Sequence, residues 1–286
     1  MGFSARQWVV GGAVAAVASA LVLSQAGLAI GGTAARAAGS VGAAPVARAG
    51  SAIAAGRGAS MPGSVYVSSG RTLRFGMRGP AVRALQLRLN YLHYYSGRPD
   101  GHFGWSTMEA VWAFKEVQSG KVIPRHPDIV GPAMQRQLRH PRLPKAFKPH
   151  GGPWRIEIHK KNQVLILYRR GKIELISHTS TAKFYRSDGS GWVTPDGHYH
   201  ALSFIHGWAC GGLGCMWNPV FFISTQFAIH GEPNPPSTFG EAGVPLNPAS
   251  HGCVRIPWDI SQFLHRRIRI GAHGTPIYIF GPNYYH

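Results

Sequence analysis

The sequence predicts a multi-domain chain, a small three-helix α module followed by a mainly β domain. Three observations carry this. Two apolar stripes at helical spacing fall between residues 82 and 117, strand-like runs begin at Trp154, and 37 Gly and 21 Pro argue against a helical bundle. At 44% apolar and 11% aromatic content, the 286-residue chain can bury substantial cores and is not disordered by composition.

Residues 1–37 read as a secretory signal. One positive charge, Arg6, precedes an uncharged run over 9–30, and Ala35-Arg36-Ala37 supplies the small-x-small spacing of a signal-peptidase site. The competing reading is an uncleaved membrane anchor, because a run of 22 uncharged residues just spans a bilayer. Either way the remainder is expected outside the cytoplasm, secreted or in the cell wall. Residues 38–65, mostly Ala, Gly and Ser, read as a flexible linker.

Charge is distributed unevenly along the chain. Lys and Arg number 30 against 11 Asp and Glu, a net +19, and residues 1–150 hold 18 of the basic side chains but 4 of the acidic ones. Such a surface is drawn to nucleic acid, anionic lipid or an anionic cell wall. Nucleic acid lacks support, since no repeated basic helix, Cys/His finger or aromatic RNA-binding signature is present. Three cysteines are too few for a disulfide framework.

Between 66 and 142 the helical module unfolds in order. Val82, Leu85, Leu89 and Leu92 make one helical stripe behind Pro80, which a first turn tolerates. Ala110, Val111, Phe114 and Val117 make a second, and Pro132, Met134 and Leu138 suggest a short third helix. Leu73, Gly76, Gly79, Leu85-Gln86 and Asp100-Gly101-His102-Phe103-Gly104 resemble the peptidoglycan-binding domain of the three-helix type. Lys115 departs from that family's usual Gln, and the stretch 120–129 is longer than usual. The resemblance implies binding to the wall independently of any catalysis; taken alone, the same loop residues are turn chemistry.

From 152 to 281 the text changes period. Trp154, Ile156 and Ile158 alternate with Arg155, Glu157 and His159, which predicts a half-buried strand. Apolar runs at 164–168 and 173–177 continue a β-meander, and further strands are expected at 220–224, 227–230 and 276–280. One helix is expected to open at Pro257 or Trp258, with Ile260, Phe263, Leu264 and Ile268 inward and Arg266, Arg267 and Arg269 near its end.

Just before that helix stands Ser250-His251-Gly252-Cys253-Val254-Arg255. A thiol at a helix entrance beside Arg255 is expected to favour thiolate. Gly252 permits close backbone approach, so that amide groups there could receive an oxyanion. Nucleophilic catalysis also needs a base, and His230 in Ile229-His230-Gly231 and His251 are the candidates. Taken without those neighbours, a lone Cys is more often a buried structural residue.

Ile229-His230-Gly231 followed by Ser250-His251-Gly252-Cys253-Val254-Arg255 closely resembles the L,D-transpeptidases of the YkuD type. Thr194-Pro195-Asp196-Gly197-His198-Tyr199 resembles an upstream element of the same family. The resemblance implies a β-sandwich-like catalytic domain with Cys253 as nucleophile and His230 as proton donor and acceptor. His251 and Gly252 would shape the nucleophile loop and oxyanion site, and Ser250, Arg255 and Gly231 would support the site or contact substrate. The implied partners are a tetrapeptide donor stem of peptidoglycan and the amine of an acceptor stem, joined in a 3→3 crosslink through a cysteine thioester. No cofactor or metal is implied. Hydrolysis of the same thioester, by a cysteine carboxypeptidase or endopeptidase, and a non-catalytic wall-binding role are the alternatives. The segments 232–248 and 207–217 are enlarged relative to the family. Within the second, Cys210 and Cys215 read as a local disulfide in an exported chain, with a metal site that includes His206 as the other reading.

Overall fold

A computed structural model of the chain describes residues 70–122, 128–184, 192–232, 244–282 and 284–285. The expected signal and linker lie outside the described residues. All described residues fall within one compact unit.

The helical module comprises β1 (Leu73–Arg74), α1 (Pro80–Tyr91), α2 (Trp105–Ser119), β2 (Ile129–Val130) and α3 (Pro132–Arg139), with β1 antiparallel to β2. Pro80 and Pro132 each open a helix behind a glycine, where a missing N–H costs nothing. The expected stripe of α1 is the buried one. Gln86, also buried, donates to Asp100 Oδ1 at 2.9 Å, the His102 carbonyl at 3.0 Å and Thr107 Oγ1 at 3.0 Å, and its Oε1 accepts the Gly101 N–H at 2.8 Å. The Leu-Gln pair and the Asp-Gly-x-Phe-Gly loop are therefore one hydrogen-bonded construction.

Helix α2 is buried on nearly every side, Glu109 and Glu116 included. One side faces α1. The other packs on the β domain, because Leu85, Phe103, Phe114 and Leu138 share a core cluster with Val164, Ile166, Tyr168 and Ile176. The helical module and the β domain therefore share one core.

The β domain runs β3 (Trp154–His159), a 3-10 turn at Lys160–Asn162, β4 (Val164–Arg169), β5 (Lys172–His178), β6 (Lys183–Phe184), β7 (Gly197–His200), β8 (Ser203–Phe204) and β9 (Trp208–Gly211). It continues with β10 (Gly214–Ile223), β11 (Phe227–Glu232), β12 (Val254–Pro257), α4 (Trp258–His265), β13 (Pro276–Phe280) and β14 (Tyr284–Tyr285). One sheet has the order β5-β4-β3-β13-β7 and the other β12-β11-β10-β8, with β9 also on β10; β14 pairs with β6. Ile156, Ile158, Leu165, Leu167 and Ile277 from the first sheet meet Val220, Phe222, Ile229, Val254 and Ile256 from the second, with Ile260, Phe263 and Leu264 of α4 alongside. Alternation puts these apolar side chains on one face of each sheet, and burying both faces together stabilises the pair.

Two expectations need correction. β3 is not half-buried: Arg155 and Glu157 are both 0% exposed. Arg155 lies over the Tyr168 ring at 3.9 Å, and Glu157 accepts the N–H groups of Phe147 and Lys148, so the segment joining module to sheet covers this face. The helix α4 ends at His265, so Ile268, though buried, lies beyond its last turn, while Arg266, Arg267 and Arg269 follow close after its end.

Candidate active site

β11 and β12 run parallel, with Ile229 opposite Val254, His230 opposite Arg255 and Gly231 opposite Ile256. Side chains alternate between faces of a sheet, so Ile229, Val254 and Ile256 point into the core. His230, Glu232, Cys253 and Arg255 therefore share the opposite face, with Cys253 one residue before β12. His230 lies in β11 beside β12, and Cys253 immediately precedes the first residue of β12.

Ser250 organises the turn that delivers the thiol. Its hydroxyl donates to the Cys253 carbonyl and accepts the Gly252 N–H at 3.1 Å. Gly252 has φ +132°, a region that favours glycine, and a Cβ there would collide with the Phe227 ring. Beneath the turn, Thr194 Oγ1 donates to the Gly252 carbonyl at 2.9 Å and accepts the Ala182 N–H at 2.9 Å. Lys160, 1% exposed, donates to the Thr194 carbonyl at 3.0 Å and pairs with Asp196 at 2.9 Å. Gln163 joins the Lys160 carbonyl to Thr181, whose own carbonyl accepts the N–H groups of Ala249 and Ser250. This buried polar layer is complete enough to hold one backbone geometry.

The electrostatics correct the expectation of a thiolate. A strand, not a helix terminus, follows Cys253, so the dipole of α4 is not aimed at the sulfur. Burial pushes the Cys253 thiol up; the Ala228 peptide N–H and Arg255 pull it down, and Glu232 pushes it up further. The thiol is placed to donate to the Gln226 carbonyl at 3.7 Å. Burial, and then Arg255, lowers His230 to about 3, so its imidazole is neutral near pH 7. Glu232 Oε1 lies 3.4 Å from His230 Nδ1 and 3.5 Å from Arg255 Nε. The ring's contact with Glu232 is therefore not an ion pair, and the carboxylate's charge is answered by the guanidinium. With Nδ1 near the Gly231 carbonyl at 3.4 Å, a proton on Nδ1 leaves Nε2 as the acceptor.

The other expected residues divide. Gly252 shapes the turn, and its N–H donates to Ser250 Oγ. His251 is exposed, with its ring edge-on to Trp192 at 5.1 Å between centroids, while Ser250 and Thr194 hydrogen-bond the turn. Gly231 is a packing point behind His230, where a Cβ would sit 2.5 Å from Ser261 Oγ and 3.1 Å from Trp217 Cδ1. Arg255 is set by its backbone, which exchanges hydrogen bonds with Ser180 at 2.9 and 3.0 Å. Cys210 and Cys215 are joined by a disulfide across the β9–β10 hairpin, so neither sulfur is left as a metal thiolate beside His206. Glu232, Lys160, Gln163 and the structural role of Thr194 were not legible in the sequence. Polar residues in a mostly apolar stretch, such as Gln163 before the 164–168 run, are the signal that could have found them.

Residues 78–122 match the family model of a putative peptidoglycan binding domain, and residues 153–279 match that of the L,D-transpeptidase catalytic domain. Among solved structures, an L,D-transpeptidase from Xylanimonas cellulosilytica is similar at 29% identity and a TM-score of 0.61, over 73% of this chain and 98% of that one. An L,D-transpeptidase from Mycobacterium smegmatis is similar at 14% identity and a TM-score of 0.35, over 45% of this chain and 59% of that one. The catalytic domain of an E. faecium L,D-transpeptidase acylated by ertapenem is similar at 21% identity and a TM-score of 0.34, over 45% and 97%. A search of curated protein sequences finds no match.

Proposed function

We propose, for a chain whose residues 153–279 belong to the L,D-transpeptidase catalytic-domain family, that it is an exported peptidoglycan crosslinking enzyme acting through a cysteine thioester. The observation that carries this reading is the placement of His230, in β11, beside the parallel strand β12 whose first residue follows Cys253.

The chemistry follows from that pair. Cys253 Sγ attacks the carbonyl of the third residue of a tetrapeptide stem, and His230 Nε2 takes the thiol proton as the C–S bond forms. Because the thiol is held up and the imidazole held down, proton transfer accompanies attack rather than preceding it. The tetrahedral intermediate collapses with loss of the terminal D-Ala, whose amine receives the proton from His230. An amine of a second stem then attacks the thioester, His230 takes its proton, and the thiol is regenerated as a 3→3 link forms. With the Gly252 N–H engaged, the Cys253 N–H is the donor we assign to the oxyanion.

The reading assigns wall binding to residues 66–142 and catalysis to 152–281. Export through residues 1–37, with cleavage after Ala37, puts both at the wall. Among the described residues no helix is long and apolar enough to cross a membrane. Purified protein incubated with tetrapeptide stems tests the reading by product mass. Crosslinked dimers lacking one D-Ala are expected; tripeptide alone would make the enzyme a carboxypeptidase, and unchanged stems would make it a binding protein.

A further inference from the structure

The nucleophile turn is also held from the helical module. Glu116 of α2 is fully buried, and both carboxylate oxygens approach His178 Nδ1, at 2.9 and 3.0 Å. The other ring nitrogen, Nε2, lies 3.0 Å from the Pro245 carbonyl. A carbonyl only accepts, so Nε2 carries a proton whichever of Glu116 and Nδ1 holds the one between them. Trp112, one turn earlier on α2, meets the His178 ring edge-on at 5.2 Å between centroids and limits its rotation.

Pro245 begins the approach to the active-site turn. Beyond it, the Asn247 carbonyl accepts Ser180 Oγ at 2.7 Å, and the N–H groups of Ala249 and Ser250 donate to the Thr181 carbonyl at 2.9 and 3.0 Å. The end of β5 and the residues after it thus clamp 245–250 at successive points, and His178 is the first clamp. It is also the one whose orientation is set from α2. A buried ionisable pair is a weak source of stability, since apolar residues of similar volume commonly do as well, and its best-attested use is to fix register.

We infer that Glu116 and His178 are positioning residues for Cys253, through which helix α2 holds the segment that presents Ser250 and the nucleophile. The inference deepens the proposed function and rests on its assignment of Cys253. It makes the helical module a part of the catalytic apparatus as well as a wall-binding element.

The test uses the full chain with Glu116→Leu, His178→Phe and Glu116→Gln, each held well below its own melting temperature. Two rates are read: alkylation of Cys253 by iodoacetamide, and thioester formation with tetrapeptide stems. Glu116→Leu and His178→Phe are expected to slow thioester formation about tenfold or more, in kcat rather than KM, the effect of losing one buried hydrogen bond on the population of a positioned loop. Glu116→Gln is expected to restore most of that loss, because its amide N–H can donate to Nδ1 while Nε2–H keeps its bond to Pro245. Folded Leu and Phe variants with wild-type rates in both assays would overturn the inference. Should those variants not fold, nitrogen-15 resonances of the His178 ring in the wild-type chain decide: a protonated, slowly exchanging Nε2 supports the inference, and a bare Nε2 overturns it. Alkylation requires no crosslinking, so slowed alkylation in variants of a chain that makes no crosslinks would fail the proposed function and leave this inference standing.

Discussion

The hydroxyl of Thr194 donates to the carbonyl of Gly252 at 2.9 Å, tying the segment before β7 to the residue that precedes the nucleophile. Both groups are buried, so the bond cannot be replaced by solvent at no cost. Thr194→Val keeps the shape and removes the donor. It is expected to cost about 1–3 kcal/mol in stability, because the Gly252 carbonyl and Ala182 N–H both lose a partner. Urea unfolding measures the first effect. Thioester formation slowed roughly tenfold in the folded variant measures the second, a displaced turn.

His230 and His251 should separate cleanly by rate. His230→Ala is expected to slow thioester formation by about 10²–10⁴, the usual contribution of general acid–base assistance. His251→Ala, on an exposed ring with no hydrogen bond to the turn among the described residues, is expected to leave the fold unchanged and the rate within about threefold of wild type. A wild-type rate for His230→Ala, in single-turnover acylation followed by mass, would reverse the two assignments.

The pH dependence of alkylation distinguishes a neutral pair from a thiolate–imidazolium pair. With Cys253 raised and His230 lowered, the rate of iodoacetamide modification should climb with pH toward and beyond the ordinary thiol range. A plateau of high reactivity extending down to pH 5 would mean a stable thiolate and would contradict the burial argument.

Glu157 carries a prediction for acid stability. Burial pushes its carboxyl up, but His159, the Phe147 and Lys148 N–H groups and Arg155 outweigh burial and hold it at about 2. A carboxylate lower in the folded than in the unfolded state binds fewer protons when folded. Its contribution is present above about pH 4.5 and is lost as pH falls through 2, on the order of 3 kcal/mol in all. Glu157→Gln should narrow the stability gap between pH 7 and pH 3, measured by urea midpoints at each pH. An unchanged gap would assign acid unfolding to other groups.

The shared core predicts how the chain responds to division. Removing residues 1–142 uncovers Val164, Ile166, Tyr168 and Ile176 on the first sheet, and the isolated 66–142 fragment loses the same contact from the other side. Each piece should melt at lower temperature and less cooperatively than the whole. Full-length Cys253→Ala should still sediment with purified sacculi. A fragment 66–142 as cooperative as the whole would show that the shared core is dispensable.

Much of this architecture was open to sequence reading because the signals are local. The α1 stripe of Val82, Leu85 and Leu89 and the strand runs at 164–168 and 276–280 record which face of each element is apolar, a property of spacing alone. The Cys253 and His230 motifs are equally local. Alternation reads Arg155 and Glu157 as solvent-facing because it records polarity, and nothing in β3 itself says that the segment at 147–151 will cover the polar face.

What the sequence determined by itself was the order of elements, the apolar face of most of them and the candidate thiol and imidazole. Tertiary structure decided the surroundings of those two groups, the residues that hold the turn and the union of the two cores. The reason is physical. Desolvation of His230, the Thr194 bond to Gly252 and the Glu116 contact with His178 join groups separated by 58 and 62 residues or depend on what surrounds a side chain on all sides. Periodicity reports the neighbours within one turn or one pleat, and those energies come from neighbours that only the folded chain brings together.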